Sequence, residues 1–157
     1  MKKILFVCTG NSCRSVMAEG LLKKMLESRG VSDVRVLSAG THAMNGVGPT
    51  PETIQVMSSR GIDVTSHRGQ LITPELVTHA DAIFCMEGFH RDLVLEMDPR
   101  AEGKAFLLRT FGKAAEGQDS DVPDPIGLPL PVYEMCVAAI EEAVQRVADW
   151  LVRRCEP

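Results

Sequence analysis

The run Val7-Cys8-Thr9-Gly10-Asn11-Ser12-Cys13-Arg14-Ser15 places a sulfur nucleophile and a guanidinium at the two ends of one short loop. An arginine six positions after a cysteine can offer a planar fork of donors to two oxygens of a tetrahedral oxyanion. Between them, Gly10 and Asn11 tolerate backbone angles that other residues avoid, so successive N–H groups can converge on one point. A cysteine at the base of such a nest is expected to have a depressed pKa and to be a thiolate near neutral pH. The pattern therefore predicts attack on phosphorus. Cys8 is the candidate nucleophile, Arg14 the anion clamp, and Thr9, Gly10, Asn11, Ser12 and Cys13 complete the phosphate cradle.

A bare Cys-x5-Arg spacing is common, so its meaning rests on the elements around it. Ile4-Leu5-Phe6-Val7 reads as a buried strand, within Lys3–Val7. Met17 to Leu26 lies in an amphipathic pattern, giving a helix over Ser15–Arg29 whose positive dipole end faces the loop. Further strands are expected at Val34–Ser38, Ala82–Met86 and Ala105–Leu108, and helices at Pro51–Arg60, Pro74–His79, Gly88–Met97 and Val132–Arg154. Thr50-Pro51 and Thr73-Pro74 each read as an N-cap followed by proline in the first helical turn. Strands alternating with helices predict an open parallel sheet covered on both faces, the whole chain 1–157 forming one domain. In such a sheet the ligand sits beyond the C-terminal strand ends, where the loop after Cys8 lies.

A leaving group needs a proton, and the intermediate that remains needs an activated water. The Pro- and Gly-rich stretch Gly117–Gly127 follows the fourth strand and should emerge on the same edge as Cys8. Its Asp124, fixed between Pro123 and Pro125, is the candidate general acid, with Asp121 the competing choice.

At this point the segment Phe6–Glu19 closely resembles the signature of low-molecular-weight protein tyrosine phosphatases and of the bacterial protein arginine phosphatases related to them. Leu37-Ser38-Ala39-Gly40-Thr41, Ser66-His67-Arg68, Ala80-Asp81 and Asp124-Pro125 extend the resemblance over nearly the whole chain. One departure is Val16, where the family usually has a proline that only pre-sets φ. The resemblance implies a four-stranded sheet in the order 2-1-3-4 and a thiophosphate intermediate on Cys8. It also implies that Ser15 donates to the sulfur, and that Asn11 is held in a strained conformation by a network completed by Ser38 and His67. His42, His79 and His90 are assigned no functional part. Cys13 has two open readings: a reversible disulfide partner for Cys8, or loop packing. Cys85 and Cys136 read as core, and Cys155 as exposed and incidental.

Among relatives, tyrosine-directed enzymes carry aromatic walls, whereas Thr41–Thr50 and Pro125–Pro131 here hold none. Four positions past the nucleophile, tyrosine-directed relatives tend to be bulky and arginine phosphatases carry threonine; here it is the small, hydroxylated Ser12. The expectation leans to phosphoarginine on proteins, with phosphotyrosine as the alternative. Thioredoxin-coupled arsenate reductases share the loop but need a relay pair of cysteines. Cys85 is followed seven positions later by Asp92, which argues against that reading. A phosphate-binding module without catalysis would lack nucleophile or acid, and both are present.

Composition narrows the classes further. A net charge of −4 makes nucleic acid an unfavourable partner, so phosphate affinity must be built locally by the loop. No apolar run approaches the ~20 residues of a membrane span, and Gly10-Asn11 interrupts the N-terminal apolar stretch before it could serve as a signal peptide. Five cysteines without a Cys-x2-Cys pair argue for a reducing compartment, the cytoplasm, and for no metal site or cofactor. The oligomeric state is not encoded in any of these features.

Overall fold

The computed structural model describes residues 1–113 and 119–155. Along the chain run β1 (Lys2–Cys8), α1 (Arg14–Ser28), β2 (Val34–Gly40), α2 (Pro51–Ser58), α3 (Pro74–His79), β3 (Ala82–Cys85), α4 (Gly88–Met97), β4 (Ala105–Leu107) and α5 (Leu130–Cys155). The strands form one parallel sheet in the order β2-β1-β3-β4. Both the architecture and the strand order agree with the expectation. Boundaries differ by one or two residues, because the last turn of a helix or the last rung of a ladder carries little sequence signal. A 3-10 turn at Pro99–Gly103, absent from the reading, carries the chain from α4 into β4.

The burial of β1 explains why its sequence is continuously apolar. Ile4, Phe6 and Cys8 point to the layer made with α1, α2 and α5, whereas Leu5 and Val7 point to the layer with α3 and α4. Since β1 has a helix layer on each side, neither alternate set of side chains can be polar. In α5, Tyr133, Val137, Ile140, Val144, Val147 and Leu151 form the buried stripe that closes the first layer.

Register carries Cys8 to the working edge. Cys8 pairs with Gly40 at the C-terminal end of β2, and Val7 with Cys85 at that of β3. From β1 the chain goes to β2 on one side, then crosses to β3 on the other, so the crevice opens above β1. The N-terminal ends of α2 and α3 are closed as expected: Thr50 and Thr73 hydroxyls accept from the N–H groups of Thr53 and Leu76, each with proline next in the chain.

Candidate active site

The loop from Cys8 to Arg14 joins β1 to the first turn of α1; Cys8, Asn11, Cys13 and Arg14 are buried, while Thr9, Gly10 and Ser12 are half-buried. Asn11 is the one non-glycine residue with positive φ (52°) among the described residues. That conformation is costly for an L-residue, and a full set of hydrogen bonds holds it. The Asn11 side-chain amide donates to Ser15 Oγ (2.7 Å) and Ser38 Oγ (3.0 Å), while its carbonyl oxygen accepts from Gln70 N (3.0 Å). His67 Nε2 donates to the Asn11 backbone carbonyl at 3.2 Å. Asn11, Ser15, Ser38 and His67 thus meet as the resemblance implied.

The network has a direction. Ser38 donates its proton to Glu19 Oε1 at 2.6 Å and accepts from Asn11. Ser15 also accepts from Asn11, so its own proton is free for Cys8 Sγ, 2.8 Å away. Asn11 N–H adds a second donor to the sulfur at 3.3 Å. Glu19 and Gln70 were missed from sequence, since Glu19 joins the network only through Ser38 on β2 and Gln70 meets Asn11 from 59 positions away. Gly40 was legible only as part of the family-like segment. A Cβ there would lie 2.5 Å from the Thr9 carbonyl and 2.9 Å from Asn11 N, so the loop packs directly on bare backbone.

The expected depressed pKa of Cys8 is corrected. Burial, the largest influence, pushes the thiol above its ordinary value. The Ser15 hydroxyl, the Ser15 and Asn11 N–H groups and the Arg14 guanidinium all pull the other way without overcoming it. The loop supplies the stabilisers that a thiolate needs, and desolvation outweighs them.

Arg14 is 1% exposed, and both of its Nη atoms are engaged. Its Nη1 donates to Val122 O (2.7 Å) and pairs with Glu87 Oε2 (3.0 Å). Its Nη2 donates to Thr9 Oγ1 (3.3 Å) and lies 3.5 Å from Asp124 Oδ2. A buried guanidinium left unpaired would be strongly destabilising, and Glu87, another residue the sequence reading missed, supplies the nearer carboxylate. The available signal was a charged residue immediately after a fully apolar strand, at the same edge as Cys8.

Asp124 and Asp121, left as competitors above, have different environments. Asp121 Oδ1 accepts from Gly88 N (2.9 Å), tying the loop to the start of α4. Asp124 reaches Arg14, accepts from Ile126 N (3.1 Å) and has a side chain 37% exposed. The loop assigned this role began at Gly117; Gly117 and Gln118 lie outside the described residues.

Of the histidines assigned no part, His90 reaches the loop. It is fully buried and its Nε2 lies 2.8 Å from Thr9 Oγ1, inside the loop. Cys13 contacts Thr50 Oγ1 (3.5 Å), Tyr133 OH (3.6 Å) and Ser12 Oγ (3.7 Å), partners different from those of Cys8. Cys85 and Cys136 are core residues whose thiols burial pushes up to about 12. The Cys155 side chain lies outside the described residues.

Residues 3–155 match the family model described as low molecular weight phosphotyrosine protein phosphatase. The chain belongs to the low molecular weight phosphatase family. This phosphatase is 36% identical over 149 residues to a protein-arginine-phosphatase of Geobacillus stearothermophilus, covering 95% of each chain. It is also 37% identical over 154 residues to a probable low molecular weight protein-tyrosine-phosphatase, EpsP, of Ralstonia nicotianae, covering 98% of this chain and 96% of that one. A solved structure of the YwlE arginine phosphatase with a phosphorylated active-site serine superposes with a TM-score of 0.88 at 33% identity, covering 98% and 99% of the two chains. No described helix of this phosphatase is long and apolar enough to cross a membrane.

Proposed function

We propose that this enzyme hydrolyses phosphorylated protein side chains through a thiophosphate on Cys8. The carrying observation is the meeting of Cys8 Sγ, the Arg14 guanidinium and Asp124 at one loop, with Arg14 Nη2 3.5 Å from Asp124 Oδ2. Cys8 Sγ, having passed its proton to a non-bridging phosphoryl oxygen of the entering substrate, attacks phosphorus; the bond to the leaving atom breaks, and Asp124 gives that atom its proton. Asp124, now a carboxylate, then takes a proton from water as its oxygen attacks phosphorus; the S–P bond breaks and inorganic phosphate leaves. Thr9, Gly10, Asn11, Ser12 and Cys13 form the cradle, and Arg14 neutralises the charge on the non-bridging oxygens. The longest of the four Arg14 contacts, to the half-exposed Asp124, is the one an oxyanion would exchange for. The phosphorylated active-site serine in YwlE supports attack by the equivalent loop position.

Phosphoarginine is the preferred substrate in this reading. Ser12 is small, hydroxylated and half-buried, and Asp124 is a half-exposed carboxylate able to meet a guanidinium. A specific observation favours phosphotyrosine as the second reading: Phe89, 45% exposed on the first turn of α4, lies tilted against the His90 ring and offers an aromatic surface that the two loops lack. Paired assays on phosphoarginine and phosphotyrosine peptides test the choice. Ser12→Ile should shift the ratio toward phosphotyrosine by about tenfold, which corresponds to ~1.4 kcal/mol. A parent that prefers phosphotyrosine tenfold, or a ratio unmoved by Ser12→Ile, overturns the arginine reading. The four described cysteines are free thiols, which supports the cytoplasm as the working compartment.

A further inference from the structure

We propose that Thr9 donates a hydrogen bond to the phosphoryl group, and that the buried imidazole of His90 is the positioning residue that obliges it to do so. The direction follows from counting protons. Glu87 N–H points at His90 Nδ1 at 3.0 Å, so Nδ1 presents its lone pair and the ring proton sits on Nε2. Nε2 lies 2.8 Å from Thr9 Oγ1 and therefore donates to it. Arg14 Nη2, which has no acceptor capacity, donates to the same oxygen at 3.3 Å. A hydroxyl has two lone pairs and one proton. Both lone pairs are taken, and among the described residues no protein acceptor takes the proton. Arg14 Nη2 also touches Asp124, so Thr9 Oγ1 stands beside the space between clamp and acid, where a phosphoryl oxygen is the acceptor available.

His90 is built to stay in this state. It is fully buried, and the charged and titratable groups facing it are Arg14 from α1, His42 from the loop after β2 and Glu87 at 3.8 Å on its own turn. Burial, followed by the charges of Arg14 and His42, pushes its pKa down to about 3, so the 3.8 Å approach to Glu87 is no ion pair at neutral pH. A protonated ring would lose the Glu87 N–H bond and with it the fixed orientation of Nε2.

The inference rests on Cys8 as nucleophile, and the experiment separates the two. Hydrolysis of an aryl phosphate, with inorganic phosphate as competitive inhibitor, is measured for the parent and for folded Cys8→Ser, Thr9→Val, Thr9→Ser, His90→Phe and the Thr9→Val/His90→Phe pair. Thr9→Val should weaken phosphate inhibition about tenfold and lower kcat/KM at least as much, the usual cost of losing a hydrogen bond to a charged group. Thr9→Ser should restore both. His90→Phe should cost about threefold alone and nothing more on top of Thr9→Val. Imidazole nitrogen NMR of the parent should show the Nε2–H tautomer of His90 unchanged from about pH 5 to 8; this measurement decides the case if His90→Phe does not fold. Unaltered phosphate inhibition in Thr9→Val, additive loss in the pair, or an Nδ1–H tautomer overturns the proposal. An active Cys8→Ser overturns the nucleophile assignment instead, whatever Thr9 does.

Discussion

The two loops that meet over β1 are built on opposite plans. From Cys8 to Ser15 the chain is held from within: Asn11, Arg14 and Ser15 are buried polar residues, the Asn11 side chain has its donors and acceptor engaged, and both Arg14 Nη atoms have partners. Across the crevice, the segment 119–129 has no regular structure and exposes Ile126 and Leu128. It is pinned by Asp121 to Gly88, by Val122 N to Met86 O at 2.8 Å and by the Val122 carbonyl to Arg14. The contrast separates two tasks. Charge developing on phosphorus is the same for every substrate, so its donors are best held rigid before the reaction begins. Leaving groups differ, so the side that meets them is anchored at a few points and presents a more open rim.

The largest test of the internally held side is Cys8→Ser, which should lower turnover by roughly 10⁴-fold or more. Phosphate binding should remain measurable by calorimetry, because the donors are untouched. Arg14→Lys follows at about 10³-fold, since a point charge cannot hold Val122 O, Glu87 and two phosphoryl oxygens at once. An Arg14→Lys enzyme that keeps most of its rate would show that geometry matters less than charge.

The open side is tested by leaving group. Asp124→Asn should slow poor leaving groups by about 10²-fold while sparing good ones, which need no proton. Asp121→Ala should instead lower thermal stability by about 1 kcal/mol through the orphaned Gly88 N–H, with equal rate effects on both substrate types. Reversed patterns would exchange the two assignments.

Smaller effects probe the sulfur itself. Ser15→Ala removes a group that lowers the Cys8 pKa, so the midpoint of alkylation rate against pH should rise further above that of an ordinary thiol. A fall would mean that Ser15 does not stabilise the thiolate. Finally, Cys13→Ser should leave turnover within about threefold but make peroxide inactivation irreversible, if Cys13 leaves Thr50 and Tyr133 to cap an oxidised Cys8. Equal recovery after reductant in both proteins would assign Cys13 to packing.

The legible parts of this site are those whose meaning is local. A strand that turns through Gly10-Asn11 into a helix can be read from periodicity, and so can Cys8 and Arg14 at its two ends. Asp124 was also visible, because prolines on both sides mark a held carboxylate. His90 was invisible for a different reason. Thr9 and His90 are 81 positions apart, and they touch because β3 lies beside β1 and α4 begins at its end. Nothing in Met86-Glu87-Gly88-Phe89-His90 announces that neighbour.

The chain's pattern by itself determined the layer architecture, the position of the anion loop and its principal chemical groups, because alternation, helical spacing and turn residues act over a few bonds. Tertiary structure decided the state of those groups. Burial turned the expected low thiol pKa of Cys8 into a raised one. It also held His90 neutral and gave Arg14 its counter-ion in Glu87. Desolvation and proton direction depend on everything packed around an atom, and that arrangement exists only once distant strands have been laid side by side.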